Sequence, residues 1–274
     1  MRYKNVNLVT RTQKWMGSVG CFGQIENIKR QFLIMHRMGK FLDIFLEQRM
    51  DSSDGEELKA VLENTIAEEK KCLEQFELQI KICRGKIAEI DERIARNGQT
   101  HTLMQMKRAF EEQEFIVNTA AQCQQCSFET KGLQKLLYFE KNESGKERIA
   151  VDAFVMMYEW CDDLLQLTAK KFQDIACKLL SPAELANTRI ARKKLKDFYD
   201  REKPFLSDTR HNAGAHREHD FLKQREIIEN LNWSETIEKL HGFEVVTMDL
   251  AKSIDPLMKA ALRRLDGIFR HSGG

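Results

Sequence analysis

Proline and glycine are scarce in this chain of 274 residues, which contains three prolines and 14 glycines. Both residues interrupt helices, whereas the plentiful Leu, Glu, Lys, Ala and Gln favour them. The composition therefore predicts an all-α fold. The length allows one large domain or two modest ones, and it is sufficient to bury a hydrophobic core.

Long apolar runs are also missing. No segment approaches the roughly eighteen apolar residues that a membrane span needs, and residues 1–20 lack the uninterrupted apolar core of a signal peptide. The seven cysteines are an odd set without a regular spacing, which is typical of free thiols in a reducing compartment. We therefore expect a cytoplasmic protein that does not contact a membrane.

One pair of cysteines, Cys123 and Cys126, has the Cys-x-x-Cys spacing. A zinc site needs a second such pair or nearby histidines, and a redox site needs a βαβ setting. Neither context is visible in the sequence. We therefore expect structural thiols on a helix, and a protein that uses no metal and no cofactor.

Neither sign of charge dominates, since Lys and Arg number 44, Asp and Glu number 42, and the net charge is +2. A contact with nucleic acid therefore requires a local basic patch. One candidate lies on a helix that Ser181 and Pro182 are expected to begin. Its basic residues are Arg189, Arg192, Lys193, Lys194 and Lys196. This run is either a solvated helix face or a surface that attracts phosphate.

The strongest periodic pattern runs from Glu56 to Ala95. Its apolar residues alternate spacings of three and four: Leu73, Phe76, Ile80, Cys83, Ile87, Ile90 and Ile94. This heptad seam predicts a long helix that ends at Asn97 and Gly98, with Ile80 and Ile87 buried. Thr100 or Thr102 is expected to cap a second helix of the same periodicity. The two helices are expected to form a long antiparallel, coiled-coil-like hairpin. The hairpin either protrudes as an interaction arm or packs into one bundle.

A polar turn at Asn142–Lys146 predicts a domain boundary. Residues 1–141 would hold the long hairpin and an N-terminal helix from about Gly23 to Met50. Residues 142–274 would form a C-terminal helical bundle. Its helices are predicted at 152–180, 182–203, 220–230 and 233–265.

The twelve residues from Thr209 to Asp220 concentrate side chains suited to proton transfer and phosphate binding. They include two arginines, three histidines, an asparagine and two acids around an Ala-Gly-Ala centre. Pro204 should end the preceding helix near Lys203, because proline disfavours the helical conformation in the residue before it. The stretch is therefore expected to be a loop that runs into the first turns of the next helix.

Arg210 and the polar His211, with His216 five intervening residues after the arginine, resemble the signature of the HEPN superfamily. The resemblance covers roughly Asp152 to Leu265 and implies a four- or five-helix up-and-down bundle. It also implies a metal-independent endoribonuclease of toxin–antitoxin, abortive-infection or CRISPR-type defence systems. Two copies would meet across a two-fold axis, so that a homodimer brings two arginines and two histidines to one cleft. RNA is then the expected substrate, and a protein antitoxin or regulator is a further expected partner.

The residue types suit that chemistry. RNA is cleaved without metal when a base takes the proton of a 2′-hydroxyl, a cation stabilises the phosphorane and an acid protonates the leaving 5′-oxygen. Histidine suits the proton transfer because its pKa lies near 6.5, and arginine can bind two phosphate oxygens. The resemblance makes His216 the proton-transfer residue and Arg210 the phosphate clamp, with His211 and Asn212 in support. The expected substrate-binding residues are Arg189, Arg192, Lys193, Lys196 and Arg217.

Two other functions remain open from the sequence. His216, His219 and Asp220 could share a helix face as metal ligands. The chain could also be a non-catalytic helical scaffold, or a partner that binds nucleotides or RNA through an inactive HEPN-like bundle. RNA cleavage in the presence of a chelator separates the three.

Overall fold

Almost every residue placed by the computed structural model, which describes residues 53–212, 225–228 and 231–272, is helical. None of the described residues lies in a strand, so the all-α prediction is confirmed. The helices are α1 (Ser53–Asn97), α2 (His101–Phe139), α3 (Glu143–Leu167), the short α4 (Lys170–Leu179), α5 (Pro182–Asn212) and α6 (Trp233–Ser272). The predicted helix over Gly23–Met50 lies outside the described residues, as does most of the one predicted at 220–230. No helix in the described ranges is both long and apolar enough to cross a membrane.

The helix ends follow local sequence signals. Gly98 ends α1 with a φ of 77°, a conformation that glycine adopts without steric cost. The Thr100 hydroxyl accepts a hydrogen bond from the Leu103 amide at 3.3 Å and caps α2. At the start of α5, Ser181 and Glu184 form the reciprocal hydrogen bonds of a capping box. These three predictions are confirmed.

The helices α1 and α2 run antiparallel and side by side. Ion pairs cross between them in reverse order along the chain: Lys135–Glu63 at 2.7 Å, Arg84–Glu114 at 2.6 Å and Lys107–Asp91 at 2.6 Å. The centre of the α1 face is occupied by Phe76, Cys83 and Ile90, which are buried and seven residues apart. Ile80 and Ile87, which were predicted to be buried, lie at the edge of that face and are half-buried. Ile80 packs against the main core cluster and Ile87 against a second cluster.

The pair formed by α1 and α2 does not stand alone, because α6 lies along α2. Near one end Gln134 Nε2 donates to Glu244 Oε2 at 3.1 Å, and near the other the rings of Phe110 and Phe269 are 5.9 Å apart. The main core cluster joins Leu58 of α1 with side chains from α2, α3, α5 and α6. The domain boundary at residue 142 stays a prediction.

Helix α5 continues through Pro204 to Asn212, so the prediction that it ends near Lys203 was wrong. Proline costs a helix interior about 3 kcal/mol, and packing around it outweighs this cost. Leu206 is fully buried, and the ring of Phe205 packs edge-on against Phe154 at 4.8 Å. The first residues of the histidine-rich stretch are therefore the last turn of a helix rather than a loop.

The helix predicted at 152–180 is two helices in the structure. Helix α3 begins earlier, at Glu143, where the Asn142 side chain accepts a hydrogen bond from the Ser144 amide at 3.0 Å. It stops at Thr168, whose hydroxyl donates a hydrogen bond to the Leu164 carbonyl oxygen at 2.6 Å. The short α4 then begins without a side-chain cap.

Candidate functional site

Arg210 lies in the last turn of α5 and faces α3. Its Nε donates to Glu159 Oε1 at 3.4 Å, and its guanidinium lies over the Tyr158 ring at 5.2 Å from the centroid. The side chain is 22% exposed, and Glu159 is 52% exposed. An arginine has five N–H donors. A long single contact with Glu159 therefore leaves this guanidinium able to bind a phosphate.

A pair of tyrosines supports that arginine. Tyr158 and Tyr199 pack edge to face with ring centroids 5.8 Å apart, and Lys203 Nζ lies 5.2 Å from the Tyr199 centroid. Burial, together with the hydrogen bond between Tyr199 and Tyr158, raises the pKa of Tyr199, so its hydroxyl stays protonated at neutral pH. Tyr158 and Tyr199 thus pack against two cations, Arg210 and Lys203.

His211 follows Arg210 and is exposed. Its Nδ1 lies 2.7 Å from the Ser207 carbonyl oxygen. Because a carbonyl oxygen only accepts, Nδ1 carries the proton in this contact, and Nε2 is the ring atom that can exchange one. Asn212 closes the helix. His216 and Arg217, and the alternative metal ligands His219 and Asp220, lie outside the described residues.

The basic residues predicted to bind substrate do not share one face of α5. Arg192 turns towards α3 and donates from Nη2 to the Leu165 carbonyl at 3.2 Å. Lys196 pairs with Asp200 one turn further along. Arg189 Nη2 lies 3.6 Å from Cys177 Sγ. Lys193 is exposed, and so is Arg189.

The contact of Arg192 predicts a structural contribution. The guanidinium satisfies a carbonyl at the C-terminal end of α3, where a positive charge is favourable. We expect Arg192→Ala to lower the free energy of unfolding by about 1.5–3 kcal/mol, as for a hydrogen bond to a charged group. The neighbouring Lys193→Ala is the control and should change it by less than about 0.5 kcal/mol. Urea denaturation measures both, and equal effects would contradict the assignment.

A buried cluster of charges, which the sequence did not indicate, joins α1, α2 and α6. Lys131 Nζ lies 2.8 Å from Glu69 Oε1 and 2.8 Å from Glu244 Oε1, and the three side chains are 1%, 0% and 1% exposed. Ser127 bridges Lys131 and Glu69 through its hydroxyl. Gln134 donates to the second oxygen of Glu244.

The two carboxylates of this cluster share one ammonium, so their pKa values move apart. Burial raises the pKa of Glu69 more than Lys131 lowers it. Burial also acts to raise the pKa of Glu244, but the charge and hydrogen bond of Lys131 outweigh it, and that pKa is lowered. Burial acts to lower the pKa of Lys131, but the two carboxylates outweigh it and raise that pKa. The cluster is almost completely buried and cannot reach a substrate, and its ion pairs link three helices.

The two thiols of the Cys-x-x-Cys pair lie in the protein core. Cys123 and Cys126 are buried, and so is Cys161. Burial raises the pKa of the Cys123 thiol to about 12 and that of Cys126 well above its ordinary value. In the described part of the chain, no group of three His, Cys, Asp or Glu side chains is placed to hold a metal.

Thiol exposure gives a direct check of this packing. Among the six cysteines in the described ranges, Cys177 is exposed and the other five are buried. In a Cys21→Ser background, we expect N-ethylmaleimide to label one thiol per native chain and the rest only after unfolding. Adding Cys177→Ser should abolish the native label. Mass spectrometry of the intact chain counts the adducts, and native labelling of Cys123 or Cys126 would contradict the described core.

Comparison with protein-family models, with curated proteins and with solved structures finds no match for this chain. The relation to the HEPN superfamily therefore remains a resemblance, carried by Arg210, His211 and His216.

Proposed function

We propose that this protein is a metal-independent endoribonuclease of a prokaryotic defence or toxin–antitoxin system. The observation that supports this most is the setting of Arg210. It is a half-buried arginine, held by Tyr158 and Glu159 in the last turn of a helix, directly before the segment that carries His216. An arginine placed in this way can hold a scissile phosphate next to a histidine that moves protons.

In the proposed reaction a histidine takes the proton of the RNA 2′-hydroxyl, whose oxygen then attacks phosphorus. The bond to the 5′-oxygen breaks, and that oxygen receives a proton from a second histidine. The products are a 2′,3′-cyclic phosphate and a free 5′-hydroxyl. Arg210 neutralises the charge of the phosphorane. A single chain supplies one copy of Arg210 and of His216, so the proposal includes a homodimer in which both copies contribute to one cleft.

The test is incubation of the purified protein with RNA in the presence of EDTA. The expected result is cleavage with 2′,3′-cyclic phosphate ends, from a protein that sediments as a dimer at micromolar concentration. Cleavage that requires added metal would favour the His216, His219 and Asp220 alternative. A strict monomer that still cleaves RNA would overturn the composite site.

The second candidate is a non-catalytic scaffold or RNA-binding partner. It is favoured by the Glu159 carboxylate, which neutralises Arg210 in part, and by the length of the α1 and α2 pair, with 45 and 39 residues. Under this function no cleavage appears with EDTA or with added metal, and Glu159→Gln does not create any.

A further inference from the structure

Positive charge is concentrated in one helical hairpin, formed by α4 and the first half of α5. Between Lys170 and Lys196 the sequence has eight basic residues and two acids, Asp174 and Glu184. The whole chain has a net charge of only +2, so this short segment holds a local excess that the rest of the chain offsets. A potential of this kind acts on polyanions even when the net charge is small.

The fold turns part of this charge outwards as one surface. In α4 the apolar Phe172, Ile175 and Ala176 are buried. The contact of Arg189 with Cys177 at 3.6 Å joins the exposed sides of α4 and α5. We call the exposed basic side chains of α4, together with Arg189 and Lys193 of α5, the basic hairpin surface. Its members are Lys170, Lys171, Lys178, Arg189 and Lys193.

Several of the eight charges are already neutralised or turned away. Lys194 pairs with Asp249 at 2.7 Å, Lys196 pairs with Asp200, and Arg192 faces the Leu165 carbonyl. On the basic hairpin surface, Lys178 lies 3.7 Å from Glu112 and remains 59% exposed. Arg189 and Lys193 remain exposed and form no ion pair with a described carboxylate.

We propose that the basic hairpin surface is the docking site for the RNA backbone, a proposal that rests on the function proposed above. Lys193 and Arg210 lie 17 residues apart on one helix, a distance of about 25 Å at 1.5 Å per residue. A ligand that contacts both is a strand several nucleotides long, so the substrate is polymeric RNA and not a nucleotide or dinucleotide.

The composition of the surface favours a phosphate backbone over an acidic protein. Protein interfaces are depleted of lysine at their centres and contain buried apolar anchors, whereas nucleic-acid interfaces are polar and strongly basic. Four of the five members are lysines. The exposed Ile190 of the same hairpin lies instead in a groove beside α6, with Lys252 and Pro256.

Binding to an RNA that cannot be cleaved isolates this surface from catalysis. The probe is a fluorescein-labelled single strand of about 20 nucleotides with 2′-O-methyl groups throughout, followed by anisotropy between about 50 and 200 mM salt. The variant Arg189→Gln/Lys193→Gln should weaken binding about tenfold and make the salt slope shallower by about 1.4, since each single-strand phosphate contact contributes about 0.7. The control Lys81→Gln/Arg96→Gln removes the same charge from exposed positions of α1 and should leave binding unchanged.

Three outcomes would overturn the proposal: unchanged binding by the α5 variant, an equal loss in the α1 control, or displacement of the RNA by polyglutamate as effectively as by unlabelled RNA of equal charge. Cleavage of unmodified RNA in EDTA is measured separately. If the wild-type chain cleaves RNA but the α5 variant binds the probe as tightly as the wild-type chain, the proposed ribonuclease is supported and this docking site is ruled out. Binding that depends on Arg189 and Lys193, without cleavage by the wild-type chain, supports the docking site and removes the ribonuclease.

Discussion

Replacing Lys131 by methionine is expected to lower the free energy of unfolding by roughly 3–5 kcal/mol, because it leaves two carboxylates buried without a counter-charge. This is a large share of the roughly 5–15 kcal/mol that stabilises a typical domain. The matched control is Lys135→Met, one turn further along α2, where the lysine pairs with Glu63 but remains partly exposed. Its effect should be far smaller, because exposed ion pairs contribute little. Guanidinium denaturation compares the two variants. Equal effects on the free energy of unfolding would contradict a special contribution of the buried cluster to stability.

The two glutamates of the cluster should respond to pH in opposite directions. The pKa of Glu69 is raised in the folded state, so its contribution to stability is complete below its unfolded pKa and is lost as the pH rises through the folded value. The pKa of Glu244 is lowered, so its contribution is present above its unfolded pKa and is lost as the pH falls through the folded value. Glu69→Gln should therefore flatten the alkaline side of the stability profile, and Glu244→Gln the acidic side. Melting temperatures across the pH range would contradict this if both variants flattened the same side.

The largest expected effect on activity comes from His216→Ala, which should slow RNA cleavage about 10²–10⁴-fold, as is typical when a general acid–base group is lost. Arg210→Ala should be comparably damaging. Arg210→Lys should restore only part of the rate, because an ammonium cannot bind two phosphate oxygens in the planar geometry of a guanidinium. The rates are measured under single-turnover conditions in EDTA, so that binding and metal do not contribute.

The controls separate the ribonuclease from its alternatives. Arg201→Ala removes an exposed arginine of α5 that pairs with Glu202, and it should leave the rate unchanged. His219→Ala and Asp220→Ala should matter less than His216→Ala. If all three were equally damaging and EDTA reproduced their effect, the metal site would replace the proposal. A fall in melting temperature on His216→Ala, with no cleavage to lose, would make that histidine structural.

Local signals predicted the structure well where local interactions decide it. The caps at Thr100 and Ser181 and the turn at Gly98 depend on neighbours within four residues, and all three could be read from the sequence. The end of α5 could not. Pro204 is a local signal against helix, but the ring of Phe205 packs on Phe154, about fifty residues earlier in the chain. Such contacts outweigh propensity and leave no pattern in the sequence around the proline.

The sequence identified the residue types of the candidate site, but it did not identify the neighbouring residues that hold them in place. Arg210 was identified by its spacing to His216, but Tyr158 and Glu159, which hold it, lie on another helix and carry no motif. Lys131 was missed for a different reason. Periodicity treats a charged residue as exposed, whereas α2 packs against α1, α3 and α6 and has buried residues on most of its circumference.

The cluster around Lys131 also has a consequence for the order in which the chain folds. Glu69 and Lys131 are synthesised together with α1 and α2, and at that stage one negative and one positive charge balance. Glu244 follows 113 residues after Lys131, which corresponds to roughly 6–23 s of synthesis at about 5–20 residues per second. Its arrival brings a second carboxylate into a site with one ammonium. Because burial raises the pKa of Glu69 in the folded chain, the docking of α6 favours the protonated form of Glu69, and a rise in pH through that folded pKa should weaken the docking.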